Sequence, residues 1–191
     1  GVDTLAGCVA IPFDLDRLLV VGDLQGRLAA MEESSGRTVW TTDIGATEIG
    51  PFVPVAADQI AFILDGSRLA SWRIRTDGAT EAWSRALGGQ PAGQPQVHQG
   101  TVHLPVGQAV LRTSAGGSDL PSLHLPSPAT TAMQIAADGM GVVGCASHVA
   151  VFNGDALAWT SPLPAPAVAV TLAGGRVFVA LSDGSLFAYQ M

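Results

Sequence analysis

The chain repeats itself. Four segments follow one plan: apolar strand, turn, apolar strand, Asp/Gly turn, apolar strand, polar turn, and a strand ending at Trp. The first, RLLVVGDLQGRLAAMEESSGRTVWTTDIG, runs from Arg17 to Gly45. The second, QIAFILDGSRLASWRIRTDGATEAWSRALGG, runs from Gln59 to Gly89. Towards the C-terminus come GVVGCASHVAVFNGDALAWTSPL and then GRVFVALSDGSLFAYQM. Between these pairs, GTVHLPVGQAVLRTSAGGSDLPSLHLPSP keeps the rhythm but has His124 or its neighbours where Trp is expected. Trp40 and Trp83 are 43 residues apart, and Trp83 and Trp159 are 76 apart, close to two further periods.

A period near 40 residues falls in the range of β-propellers, in which each blade is a four-stranded sheet. Apolar runs and turn residues place the strands of the first unit near 7–12, 17–21, 27–31 and 38–42. Hairpins close at Asp23–Gly26, Asp65–Gly66 and Asp183–Gly184, where Asp and Gly supply turn geometry, and Asn153-Gly154 is the strongest two-residue turn signal. No helical periodicity is sustained, and 23 Gly and 12 Pro recur too often for long helices. The expectation is an all-β chain of about five blades: 1–45, 46–89, 90–128, 129–164 and 165–191. The last segment stops after its third strand, so Gly1–Gly7 is the candidate for a missing outer strand. Two readings stay open: a single, self-closed five-bladed domain, or a piece of a larger ring.

Composition narrows the function. Nine basic residues, all Arg, stand against 16 acidic ones, so attraction to nucleic-acid phosphates or anionic membrane surfaces is disfavoured. No apolar run approaches the roughly 18 residues of a membrane-spanning helix. The chain also opens without the basic and apolar regions of a signal peptide, as a mature, trimmed or leaderless form would. Cys8 and Cys145 lie in apolar, strand-like stretches and read as two buried free thiols, with a Cys8–Cys145 bond as the alternative.

The segment from Ala30 to Trp40, AMEESSGRTVW, resembles the tryptophan-docking motif of pyrroloquinoline-quinone-like (PQQ-like) propeller repeats. Ala30, Glu32, Gly36 and Trp40 fall on its first, third, seventh and eleventh positions. Trp83 departs from the motif by a one-residue slip, and Trp159 follows a shortened turn. The resemblance implies that Trp40, Trp83 and Trp159 dock blade on blade and that intact rings have seven or eight blades. It also implies a non-catalytic, protein-binding or scaffolding propeller of the bacterial periplasm or cell surface, similar to envelope assembly lipoproteins and to sensor domains of membrane-bound kinases. A small-ligand or carbohydrate sensor is the alternative, and a fragment of a quinone-dependent dehydrogenase is a weaker one. A second chain completing the ring would be one form of protein partner.

Candidate chemistry is sparse. Trp72, flanked by Arg68, Arg73 and Arg75, lies outside the Trp register and is a candidate partner contact, against ordinary inter-blade packing. His98 and His103 sit on a hairpin turning near Gln99-Gly100, which begins a metal site but lacks a third ligand. His124 and His148 carry no pattern, and neither Cys has a partner at a nucleophile spacing. Asp23, Asp65 and Asp183 recur in equivalent turns and read as turn-formers and not as a quinoprotein's base. No catalytic, cofactor-binding or metal residue is therefore assigned, no cofactor is expected, and the chain is not read as an enzyme.

Overall fold

A computed structural model describes residues 5–13, 16–23 and 25–191, with side chains from Leu18 onward except at 24. All elements among them are strands, arranged in five antiparallel sheets. The first comprises β1 (Leu5–Phe13), β2 (Asp16–Asp23), β3 (Arg27–Glu32) and β4 (Thr38–Asp43). The second holds β5 (Val53–Ala56), β6 (Gln59–Leu64), β7 (Arg68–Arg75) and β8 (Gly78–Ala86). The third holds β9 (Gln96–His98), β10 (Thr101–Val106), β11 (Ala109–Ser114) and β12 (Asp119–His124). The fourth is built from β13 (Gln134–Ile135), β14 (Met140–Gly144), β15 (His148–Asn153) and β16 (Ala156–Pro162). The fifth has β17 (Ala167–Ala173), β18 (Arg176–Leu181) and β19 (Leu186–Gln190). Of the proposed closing segment, residues 1–4 lie outside the described residues. Leu5 and Gly7 instead pair with Asp23 and Gly22 of the first sheet.

Consecutive strands pair within each sheet, as short hairpin connections dictate. The second strands of the second, third and fourth sheets are almost wholly buried, as in Gln59–Leu64, whose pattern never alternates. A strand apolar on both sides needs cover on both faces. The fourth strands are the most exposed and alternate, as in β4 and β8.

The chain divides into two compact units. Unit one is Gly1–Leu87 with Ala115–Gly117, and its core joins Val20, Leu28 and Ala30 to Ile60, Phe62, Leu64, Trp72 and Ile74. Unit two is Gly88–Ser114 with Ser118–Met191. It has two clusters, one around Val142, Val151, Val177 and Val179 and one around Val110, Leu123, Val143 and Phe152.

One irregularity recurs and explains the Trp register. Ala30 pairs with Trp40, Ser71 with Trp83 and Val151 with Trp159, and each pair is followed by a bulge on the Trp-bearing strand. The bulge admits one extra residue, Val39 in the first sheet, and re-aims the side chains beyond it. In the third sheet Pro121 stands before Leu125 as Trp40, Trp83 and Trp159 stand before Ile44, Leu87 and Leu163, and His124 is exposed.

Candidate functional site

The docking-motif residues fall together. Ala30 is fully buried and lies opposite Trp40. Glu32 clasps the following turn: its carboxylate accepts from Ser35 Oγ at 2.6 Å and pairs with Arg37. Gly36 supplies the turn's left-handed residue, at φ +67°. Trp40 Nε1 donates to the Arg75 carbonyl at 3.0 Å, at the end of β7. Trp83 does the equivalent, donating to the Ala115 carbonyl at 2.9 Å. Its indole lies so close over Gly117 that a Cβ there would stand 2.6 Å from the ring. Trp159 packs against Tyr189, with ring centroids 5.5 Å apart.

Trp72 is not a surface residue. It is 8% exposed and part of the core of unit one, so its ring is not offered to a partner. It is in phase with Ala70 and Ile74 along β7 and occupies the register held by Met31 in the first sheet and Phe152 in the fourth, a large apolar side chain in each. Its neighbours differ. Arg68 reaches Glu81 at 3.8 Å, Arg73 reaches Asp58 at 3.5 Å, and Arg75 is exposed.

Among the recurrent turn carboxylates, Asp23 is buried and Asp65 and Asp183 are exposed. Burial raises the Asp23 pKa, but the backbone N–H groups of Arg27 and Gln25 and the Arg27 guanidinium outweigh it, and the net shift is downward. Asp65 Oδ1 accepts from Thr47 N and Oγ1, both at 2.8 Å, and from Glu48 N at 3.0 Å. Asp183 Oδ1 accepts from Ser185 N at 2.9 Å. These groups close turns. Cys145 is a free, buried thiol, pushed by burial up to about 11 against a smaller opposing hydrogen bond with Ser127. The Cys8 side chain lies outside the described residues.

One concave site in unit two gathers charged and polar side chains around a cavity of about 250 Å³. His98, Gln99, Thr101 and His103 reach it from the β9–β10 hairpin and Arg112 from β11. Ile135, Asp138 and Gly139 line it from β13 and the turn after it, and Asn153, Gly154 and Asp155 from the β15–β16 turn. The hairpin places the histidines: Gln99 and Gly100 both have positive φ, +47° and +72°, and His98 pairs with Thr101. Such a two-residue turn matches the twist of the strands it joins.

At the floor, His103 and Arg112 are cross-strand partners and each is 7% exposed. The Arg112 guanidinium pairs with Asp155 through Nη2 and donates from Nη1 to the Pro121 carbonyl at 3.2 Å. Its Nε has no partner, and neither has His103 Nδ1. Burial drives the His103 pKa down to about 4, with Arg112 and His98 adding to the effect and Asp155 opposing it. Asp138, Asn153 and Asp155 stand exposed at the mouth.

Sequence reasoning placed the His98–His103 hairpin but missed Arg112 and Asp155, which are 43 residues apart. The available signal was Arg112 itself, an Arg in the middle of an apolar strand. No cluster of three or more His, Cys, Asp or Glu set to hold a metal occurs among the described residues. Nor is any helix among them long and apolar enough to cross a membrane.

Comparison with known proteins bears on the fold. The family model described as outer membrane protein assembly factor BamB matches residues 4–139. No curated protein matches the chain. Solved structures do. The C-terminal WD40 domain of Sif2 superposes with TM-score 0.72 at 11% identity, over 97% of this chain and 55% of that one. The computationally designed Ika8 protein gives 0.71 at 16%, over 96% and 58%. BBS1N, solved in complex with ARL6DN, gives 0.69 at 17%, over 95% and 63%. The chain thus spans between 55 and 63% of the length of these structures. Five antiparallel sheets, four of them four-stranded among the described residues, and these matches identify the fold as blades of a PQQ-like β-propeller.

Proposed function

The chain belongs to the family described as outer membrane protein assembly factor BamB, and from that premise we propose that it is a non-catalytic propeller that binds a protein partner in an extracytoplasmic assembly. The observation that carries this reading is the uncovered face of the fifth sheet. Ala169, Ala180 and Leu186 stand side by side across β17, β18 and β19, beside the Thr171–Phe178 pair. They line a shallow apolar depression of about 110 Å³, and Leu186 is 71% exposed. The second strands β6 and β10, by contrast, are buried throughout or nearly so. A contiguous exposed apolar patch on a sheet marks a contact surface. With a net charge of −7, the chain favours a partner with a basic rim and an association that weakens with salt.

Within this reading Trp40, Trp83 and Trp159 lock blade to blade, and Arg68, Arg73 and Arg75 offer a separate partner contact on unit one. A photo-cross-linking residue at position 186 tests the main claim. The expected result is one discrete adduct, lost with Phe178→Asp and reduced as NaCl is raised. An adduct with a second copy would make the partner a chain that supplies further blades. Diffuse background labelling, unchanged by Phe178→Asp, would overturn the proposal. A small-ligand reading is favoured by one separate observation, the polar cavity of unit two. No Trp, Tyr or Phe lines it to stack on a sugar.

A further inference from the structure

A buried polar side chain is ordinarily served by partners. Gln59 of β6 is 5% exposed, and its Nε2 donates to Ser71 Oγ at 2.7 Å and to the Ala115 carbonyl at 2.8 Å. His103 and Arg112 face each other across β10 and β11 and are each 7% exposed, yet each keeps a polar atom without a partner. Only three such atoms occur among the described residues, and the other is Trp72 Nε1. Buried polar groups are almost always hydrogen-bonded, so two orphans side by side in one cavity mark a place built for a further group.

We propose that this cavity is a receptor for a single carboxylate group, carried by a ligand whose remainder is neutral or cationic. A guanidinium presents its N–H groups in a planar fork that matches carboxylate and phosphate oxygens, and the acidic mouth of the cavity favours the singly charged carboxylate. Arg112 already holds one carboxylate, that of Asp155, on Nη2, which leaves Nε–H for a second oxygen acceptor. The Asp155 side chain is 75% exposed, so it shares or yields its place at little cost. His103 is neutral near pH 7 and can offer Nδ1–H in the appropriate tautomer, adding a hydrogen bond without a charge. The carboxylates of Asp138 and Asp155 at the mouth repel a ligand that carries further negative charge and attract a cationic tail. At about 250 Å³ the cavity lies just below the range of drug-sized sites, and it suits a small acid or the carboxylate end of a polypeptide.

The test is titration of the ¹⁵N-labelled full chain with acetate, acetamide and citrate, read at the amides of Gln99, Gly139 and Gly154. Acetate should perturb these amides saturably. Acetamide should not, and citrate should bind more weakly than acetate. Asp155→Asn removes the competing carboxylate and should tighten acetate on the order of fourfold, the effect of one solvent-exposed charge a few ångströms away. Arg112→Gln should abolish the response. A tripeptide with a free C-terminus, compared with its amide, separates the sources: tighter binding than acetate points to a polypeptide, equal binding to a small acid. Equal response to acetate and acetamide, no saturable response, or weaker acetate binding by Asp155→Asn would each overturn the proposal. The Asp155 variant, altered at an exposed turn, keeps the test valid if Arg112→Gln fails to fold.

Discussion

Lowering the pH from 7 to 4 asks an imidazole at the floor of the unit-two cavity to accept a proton beside a buried guanidinium. Burial is the larger obstacle, and Arg112 and His98 add to it, so His103 protonates near pH 4 in the folded chain, against 6.5 for the free side chain. Asp155 opposes the shift, and Asp138 stands at the same mouth. The unfolded chain therefore takes up this proton first. The contribution of His103 to stability is complete above about pH 6.5 and is lost as the pH falls towards 4. At about 1.36 kcal/mol per pH unit the full difference would be about 3 kcal/mol, and screening through the open cavity lowers it to about 2. His103→Gln removes the titration and keeps a neutral hydrogen-bonding side chain opposite Arg112. Two measurements check this: the NMR midpoint of the His103 ring, and hydrogen-exchange protection of the Val102 and Leu104 amides from pH 7 to 4. The midpoint should lie near 4, and the native chain should lose about 2 kcal/mol more protection than the variant. A midpoint at about 6 or above, or parallel pH profiles, would refute the reasoning.

Three further outcomes follow from packing. Gly117→Ala should destabilise unit one by at least about 2 kcal/mol, because its φ is +90° and its Cβ would strike the Trp83 ring. Gly36→Ala, at φ +67° with open space around it, should cost only about 1 kcal/mol; denaturant midpoints of the two variants distinguish strain from collision. Trp40→Phe should cost about 1 kcal/mol by removing the Nε1 hydrogen bond to Arg75, and Trp83→Phe less, because Gln59 still satisfies the Ala115 carbonyl. Cys145 should resist thiol reagents at pH 8 in the folded chain and react once it is unfolded, as mass mapping of its peptide would record.

The blade architecture was legible because it is written locally. Turn residues such as Asn153-Gly154 and Asp65-Gly66 stand between apolar runs whose length suits single strands, and the Trp spacing repeats with the blades. Strand positions in the first unit differ from the observed ones by a few residues at most, since apolar runs mark centres better than ends. Trp72 was open to two readings, a partner contact or packing between blades, and its burial with Ala70 and Ile74 fits packing. The Arg residues around it in sequence do not say which face of β7 meets the core.

The candidate cavity shows the same limit more sharply. The sequence by itself determined an all-β chain of repeated blades, the hairpin that carries His98 and His103, and a net negative charge. It could not bring Asp155 to Arg112, because that contact joins hairpin turns and strands of two different sheets. Nor could it leave Arg112 and His103 short of hydrogen bonds while Gln59, as deeply buried, is satisfied. Local propensity and periodicity act over a few residues and specify strands and turns. Burial, and the demands it makes on a buried charge, depend on which surfaces meet, and only the tertiary structure decides that.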